Sequence, residues 1–252
     1  MKHKMCAENE PFSMKKSGLV LALYMLIMGA CLAVTRWGLR VSYSDQGFLS
    51  AMTPWVALLA ALVLAVQFRE KSGLWFRQKH GGTYGICLTV LIPVLLLAVY
   101  AAIECRASIT PVMVLTPLLV GIAEEGMYRG ILLPGLLKKK SVNTAIVCSA
   151  VWFSMLHLLN LLGGQSVRAV VSQLFLTFLT GLYFAAVYLR VRKLSLLILQ
   201  HALWDFIAFS GVLERTLWAG LAVSLIVAMQ LVFACAMLIS NRGKIKLDDH
   251  TA

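Results

Sequence analysis

Charge is what this sequence has least of. Only 13% of its 252 residues are Asp, Glu, Lys or Arg, against 60% hydrophobic, and the mean hydropathy is +0.83. That composition excludes a soluble domain wrapped around one apolar core and makes the chain a polytopic membrane protein. Cysteine pairs are missing too. Cys6, Cys31, Cys87, Cys105, Cys148 and Cys235 form no C-x-x-C, and only Cys105 falls in an expected outer loop. Neither a disulfide framework nor a thiolate metal site is implied. The chain also lacks a contiguous H-E-x-x-H zinc pattern, an inverted repeat, low-complexity tracts and a linker, so it reads as one domain.

What remains is apolar runs and basic loops. The runs cover 18–34, 48–68, 84–103, 111–137, 142–162, 169–189, 194–212 and 217–240. At about 1.5 Å per residue each is long enough to cross a hydrocarbon layer of about 30 Å. The expected fold is all-α, a bundle of about eight transmembrane helices over 18–240, with a basic segment at 1–17 and a solvated tail at 241–252. Met28-Gly29-Ala30-Cys31 reads as part of a retained first span rather than a lipoprotein cleavage box.

The net charge of +12 is organised by topology. Alternate loops carry 17 Lys and Arg on one side, including Lys2, Lys4, Arg77, Lys79, Lys138, Arg190 and Arg242. The other side carries 5, namely Arg36, Arg40, Arg106, Arg168 and Arg215. Both termini are therefore expected in the cytoplasm, with the chain in a bacterial-type inner membrane. This asymmetry accounts for the basic balance without nucleic-acid binding.

Three runs contain polar residues that lipid does not tolerate. Glu124, Glu125 and Arg129 interrupt the run 111–137, and each ion placed centrally costs about 2.5–3.5 kcal/mol on insertion scales. Glu125 and Arg129 stand at i and i+4 with the acid first, so they are expected to pair along one helix face. Glu124 is left beside the pair, where a buried carboxyl suits the taking and returning of a proton. Phe153 and His157 lie one turn apart in the fifth run, and His201 and Asp205 share the same spacing in the seventh. Burying all of these separately would strand several polar groups, so one shared intramembrane site is expected. Straight helices counted from the basic anchors put Glu124 about 21 Å, His157 about 24 Å and His201 about 12 Å deep, which misaligns them. Tilt, a deep loop, or a break near Gly130 and Pro134 is needed.

The order E-E-x-x-x-R, F-x-x-x-H, H-x-x-x-N/D on successive apolar helices resembles the CAAX prenyl endopeptidase and bacteriocin-processing (CPBP or Abi) family of intramembrane proteases, over 111–212. The resemblance implies hydrolysis of a peptide bond in a membrane-anchored or lipid-proximal protein. The substrate would be a prenylated tail, a leader peptide or a C-terminal anchor, and cleavage would serve protein sorting or release. It also implies that Glu124 and His157 activate water and that His201 with position 205 stabilises the oxyanion, while Glu125, Arg129 and Phe153 support the site. Position 205 is Asp where Asn is the better donor, because an ionised Asp only accepts hydrogen bonds. Asp205 is then expected to orient His201. The resemblance favours no cofactor; a zinc alternative would use Glu124, His157 and His201 as ligands. A proton- or ion-coupled transporter and a non-catalytic scaffold are the readings from other classes.

Overall fold

The computed structural model describes residues 12–72 and 84–249, with side chains described as far as Asn241. The expected basic anchors Lys2, Lys4, Arg77 and Lys79, together with Cys6 and His250, lie outside the described residues, as do the side chains of Arg242, Lys244 and Lys246.

Among the described residues the chain is helical. Helix α1 (Met14–Ala33) runs into a π segment (Val34–Gly38), and α2 (Phe48–Arg69) and α3 (Gly85–Glu104) follow. Helix α4 (Pro111–Met127) passes through a second π segment (Tyr128–Leu132) into the short α5 (Leu133–Leu137). Helix α6 (Val142–Leu156) tightens into a 3-10 turn (His157–Leu161). Helices α7 (Val167–Val191), α8 (Leu194–Phe209), α9 (Val212–Arg215) and α10 (Leu217–Asp249) complete it. Starts are fixed by side-chain caps: Ser13, Ser141 and Ser166 accept from Lys16 N, Thr144 N and Ala169 N, each satisfying a donor that the first turn leaves open. The tail expected at 241–252 is helical as far as Asp249.

Among the described residues six helices are long and apolar enough to cross a membrane, and Leu194–Phe209 is a shorter apolar one. The polytopic helical bundle expected from the sequence is thus found, with two runs differing in detail. The run 111–137 stays helical throughout but changes its ladder over Tyr128–Leu132, and the run 194–212 is a helix of 16 residues. Both differences fall on the polar motifs. Large apolar side chains such as Leu19, Leu26, Leu221, Leu225 and Ile239 point outward, as the surface of a bundle solvated by lipid requires.

The π segment has its own supports. A change of ladder inside an apolar bundle leaves carbonyls short of partners, and lipid offers none. Gln67 Nε2 on α2 donates to Gly126 O (2.8 Å), Ser149 Oγ to Tyr128 O (3.4 Å) and Ser17 Oγ to Ile131 O (3.0 Å). The spacing Gly126-x-x-x-Gly130 makes room for this: a Cβ at Gly126 would sit 2.5 Å from Val63 Cγ1, and one at Gly130 would overlap the Gln67 amide. Small residues four apart let α2 pack backbone-close to α4. Gln67→Leu, which keeps the bulk and removes the donor, is expected to lose about 1–3 kcal/mol, the cost of a stranded buried acceptor. Thermal unfolding in detergent measures this, and an unchanged midpoint would show that the π segment does not rely on that bond.

Candidate functional site

Helices α4 and α8 cross at Gly121, where an added Cβ would lie 2.8 Å from the carbonyl oxygen of Ile198. Backbone cannot step aside, so glycine sets this distance. One turn further along each helix, Glu124 comes to face His201. Helix α6 ends beside them at His157, and the four side chains Glu124, His157, His201 and Asp205 line one cavity of about 100 Å³. The misalignment expected of straight helices does not arise, because motif residues of α4, α8 and the end of α6 line this one cavity.

The centre is held by Arg129. Its guanidinium is fully buried, with Nη1 3.0 Å from Glu125 Oε1 and Nη2 donating to Gly181 O (3.2 Å). Phe153 and Phe184 lie against its faces, with ring centroids 4.3 and 5.3 Å from Cζ. A cation removed from water gains from ring quadrupoles as well as from its counter-ion. Phe153 therefore packs on the charge rather than on apolar neighbours alone, and it also meets His157 and His201 edge-on at 5.4 and 5.9 Å.

The two imidazoles are held differently. His157 Nδ1 lies 3.1 Å from Phe153 O; a carbonyl can only accept, so the proton sits on Nδ1 and the Nε2 lone pair is left. His201 Nδ1 lies 2.8 Å from Glu125 Oε1, and its ring stacks on Phe184 at 6.1 Å. Its Nε2 is 3.7 Å from Glu124 Oε2 and 3.6 Å from Asp205 Oδ2. An N–H there faces acceptors. Glu125 thus bridges Arg129 and His201 through one oxygen, while Glu124 Oε2 is buried with no hydrogen-bond partner among the described residues.

All seven residues singled out from the sequence gather in this region. Asp205 stands 3.6 Å from His201, beyond hydrogen-bond length, and it is Glu125, not Asp205, that holds the ring. The zinc set does not fit as placed: among the described residues no three His, Cys, Asp or Glu side chains converge on a point that could hold an ion. Sequence reasoning missed Tyr43, Thr116, Asn160 and Gln173, which line the same cavity. Asn160 was within reach, standing three residues after His157; Tyr43 lies in a loop and carries no periodic signal.

Residues 106–207 match the family model described as type II CAAX prenyl endopeptidase, Rce1-like. That range holds every residue of the motif set and supports the resemblance drawn from it. No curated protein matches the chain, and no solved structure does.

Proposed function

We propose, from the premise of a CAAX-endopeptidase-type core at 106–207, that this integral membrane protein hydrolyses a peptide bond close to the bilayer, with both termini in the cytoplasm. The observation that carries the reading is the buried, unpartnered Oε2 of Glu124 in one cavity with His157 and His201.

The chemistry follows from the donor inventory. A water in the cavity gives a proton to Glu124 as its oxygen attacks the scissile carbonyl carbon, and the π electrons move to the carbonyl oxygen. His157, with its lone pair at Nε2, accepts the second water hydrogen bond and aims the water. The His201 Nε2–H donates to the oxyanion. Collapse re-forms the carbonyl and breaks the C–N bond, and the departing amine takes the proton held by Glu124. Glu125 keeps His201 in place from behind and is itself anchored by Arg129. No step needs a metal.

The similarity to type II CAAX prenyl endopeptidases favours a prenylated C-terminal tail as substrate; leader peptides and C-terminal anchors are the other classes that the same cavity chemistry serves. The test uses full-length protein in lipid vesicles and three quenched peptides: one with a farnesylated Cys three residues from its C-terminus, one leader type and one anchor type. Cleavage of the farnesylated peptide, unchanged by chelator, is the expected result. Chelator-sensitive cleavage with stoichiometric bound zinc would overturn the metal-independent mechanism. Failure to cleave any of the three would favour transport or a scaffold. Asp205→Asn is expected to keep or raise the rate, because His201 is already oriented by Glu125 and the amide adds a donor; loss of cleavage would make Asp205 an orienting carboxylate.

A further inference from the structure

The cavity has an excess of acceptors. Glu124 and Asp205, as carboxylates, only accept, and the His157 proton is committed to Phe153 O. An oxyanion there would have one imidazole donor, His201, where acyl-transfer sites commonly present two.

The neutral side chains of the lining are mostly committed too. Thr116 Oγ1 is 2.6 Å from Thr53 Oγ1. Asn160 Nδ2 donates to Gln173 Oε1 (2.9 Å), which fixes the Gln173 amide with its NH₂ end free to serve elsewhere. Gln173 and Tyr43 line the same cavity. Because Asn160 donates to Gln173 Oε1, the Gln173 amide has only N–H left to offer a neighbour such as the Tyr43 oxygen, and Tyr43 carries the one hydroxyl of the lining with a proton to give the cavity.

Tyr43 is rigidly placed for such work. It belongs to the loop between the first π segment and α2, and its backbone N–H donates to Gly163 O (2.9 Å) in the turn after His157. Its ring lies 4.5 Å from that of Phe48. Gly164, at φ +89°, allows that turn to close over the Arg36 side chain, which a Cβ would approach to 3.0 Å; Arg36 in turn hydrogen-bonds Ser42 beside Tyr43. Burial, with the Asp205 carboxylate nearby, pushes the Tyr43 phenol up to about 12, so it keeps its proton at neutral pH.

We propose that the Tyr43 hydroxyl is a catalytic oxyanion donor, supplying the hydrogen bond that Asp205 cannot give. This rests on the hydrolytic reading of the site. When water attacks, negative charge develops on the carbonyl oxygen, and Tyr43 O–H donates to it alongside His201 Nε2–H; no proton is transferred, and the bond weakens again when the intermediate collapses. The loop carrying Tyr43 is thereby part of the active site rather than a connection between spans.

The experiment is a kinetic cycle in vesicles with the farnesylated peptide: wild type, Tyr43→Phe, Asp205→Asn and the double variant, with Glu124→Gln as reference. Tyr43→Phe keeps the ring on Phe48, and its melting midpoint is expected to equal that of the wild type. Its kcat is expected to fall about 10²-fold, the usual effect of removing one oxyanion donor, with KM unchanged. Adding Asp205→Asn is expected to recover most of that loss. A wild-type kcat for Tyr43→Phe, a change confined to KM, or no recovery in the double variant would each overturn the assignment while Glu124→Gln stays inactive. A wild-type enzyme that cleaves no peptide would instead bring down the hydrolytic reading itself, and this proposal with it.

Discussion

Glu124→Gln is expected to reduce peptide cleavage by about 10²–10⁴-fold, the range that a positioned general base supplies, and to leave the helical bundle folded. The substitution keeps the side chain's length and its contacts while removing the ability to take a proton from water. Oε2 has no hydrogen bond to lose, so stability should not suffer. It should gain slightly, since three carboxyls (Glu124, Glu125, Asp205) crowd the single His201 ring within hydrogen-bond or ion-pair distance, and neutralising one relieves like-charge repulsion. Initial rates under saturating peptide, together with thermal unfolding of the same preparations, separate these effects. Cleavage at the wild-type rate would remove Glu124 from the role of base and leave His157 as the candidate.

Arg129→Ala is expected to do the reverse and damage the fold before the chemistry. Its guanidinium is wholly buried, ion-paired with Glu125, bonded to Gly181 O and covered by two phenyl rings. Removing one partner of a buried pair costs about 3–5 kcal/mol, because the other charge is stranded, against a total stability of about 5–15 kcal/mol for an ordinary domain. Glu125 would be left with His201 alone, so the ring that faces the cavity would lose its anchor as well. The measurable result is a lower yield of monodisperse protein and a lower unfolding midpoint in the absence of any substrate. A variant that melts with the wild type but does not cleave would place Arg129 in the chemistry instead.

The motif set shows how far sequence reasoning reaches into such a site. The pairing of Glu125 with Arg129 was legible because i and i+4 are neighbours on any helix. The joining of three helices was legible because lipid leaves buried ions nowhere else to go. The role of Phe153 was legible only in part: that it packs could be read from its spacing with His157, but its place on the Arg129 guanidinium depends on α7, which brings Phe184 and Gly181 to the other side. The hydrogen bond to His201 comes from Glu125 rather than Asp205, because the i, i+4 spacing with His201 proposes a contact that α4, arriving across Gly121, makes shorter from another direction.

Composition and periodicity by themselves determined the class of the molecule, its helices, its expected orientation and the six polar residues that had to meet, since those depend on the transfer of each side chain from water to lipid and on a period of about 3.6. Only the tertiary structure decided where the run 111–137 changes its hydrogen-bond ladder, which oxygen faces which nitrogen, and that Tyr43, Asn160 and Gln173 belong to the same cavity. The physical reason is that a hydrogen bond is set by the approach of two elements to within a fraction of an ångström. That approach is governed by Gly121, Gly126 and Gly130, whose missing side chains leave no mark on hydropathy and act only through the helices they admit.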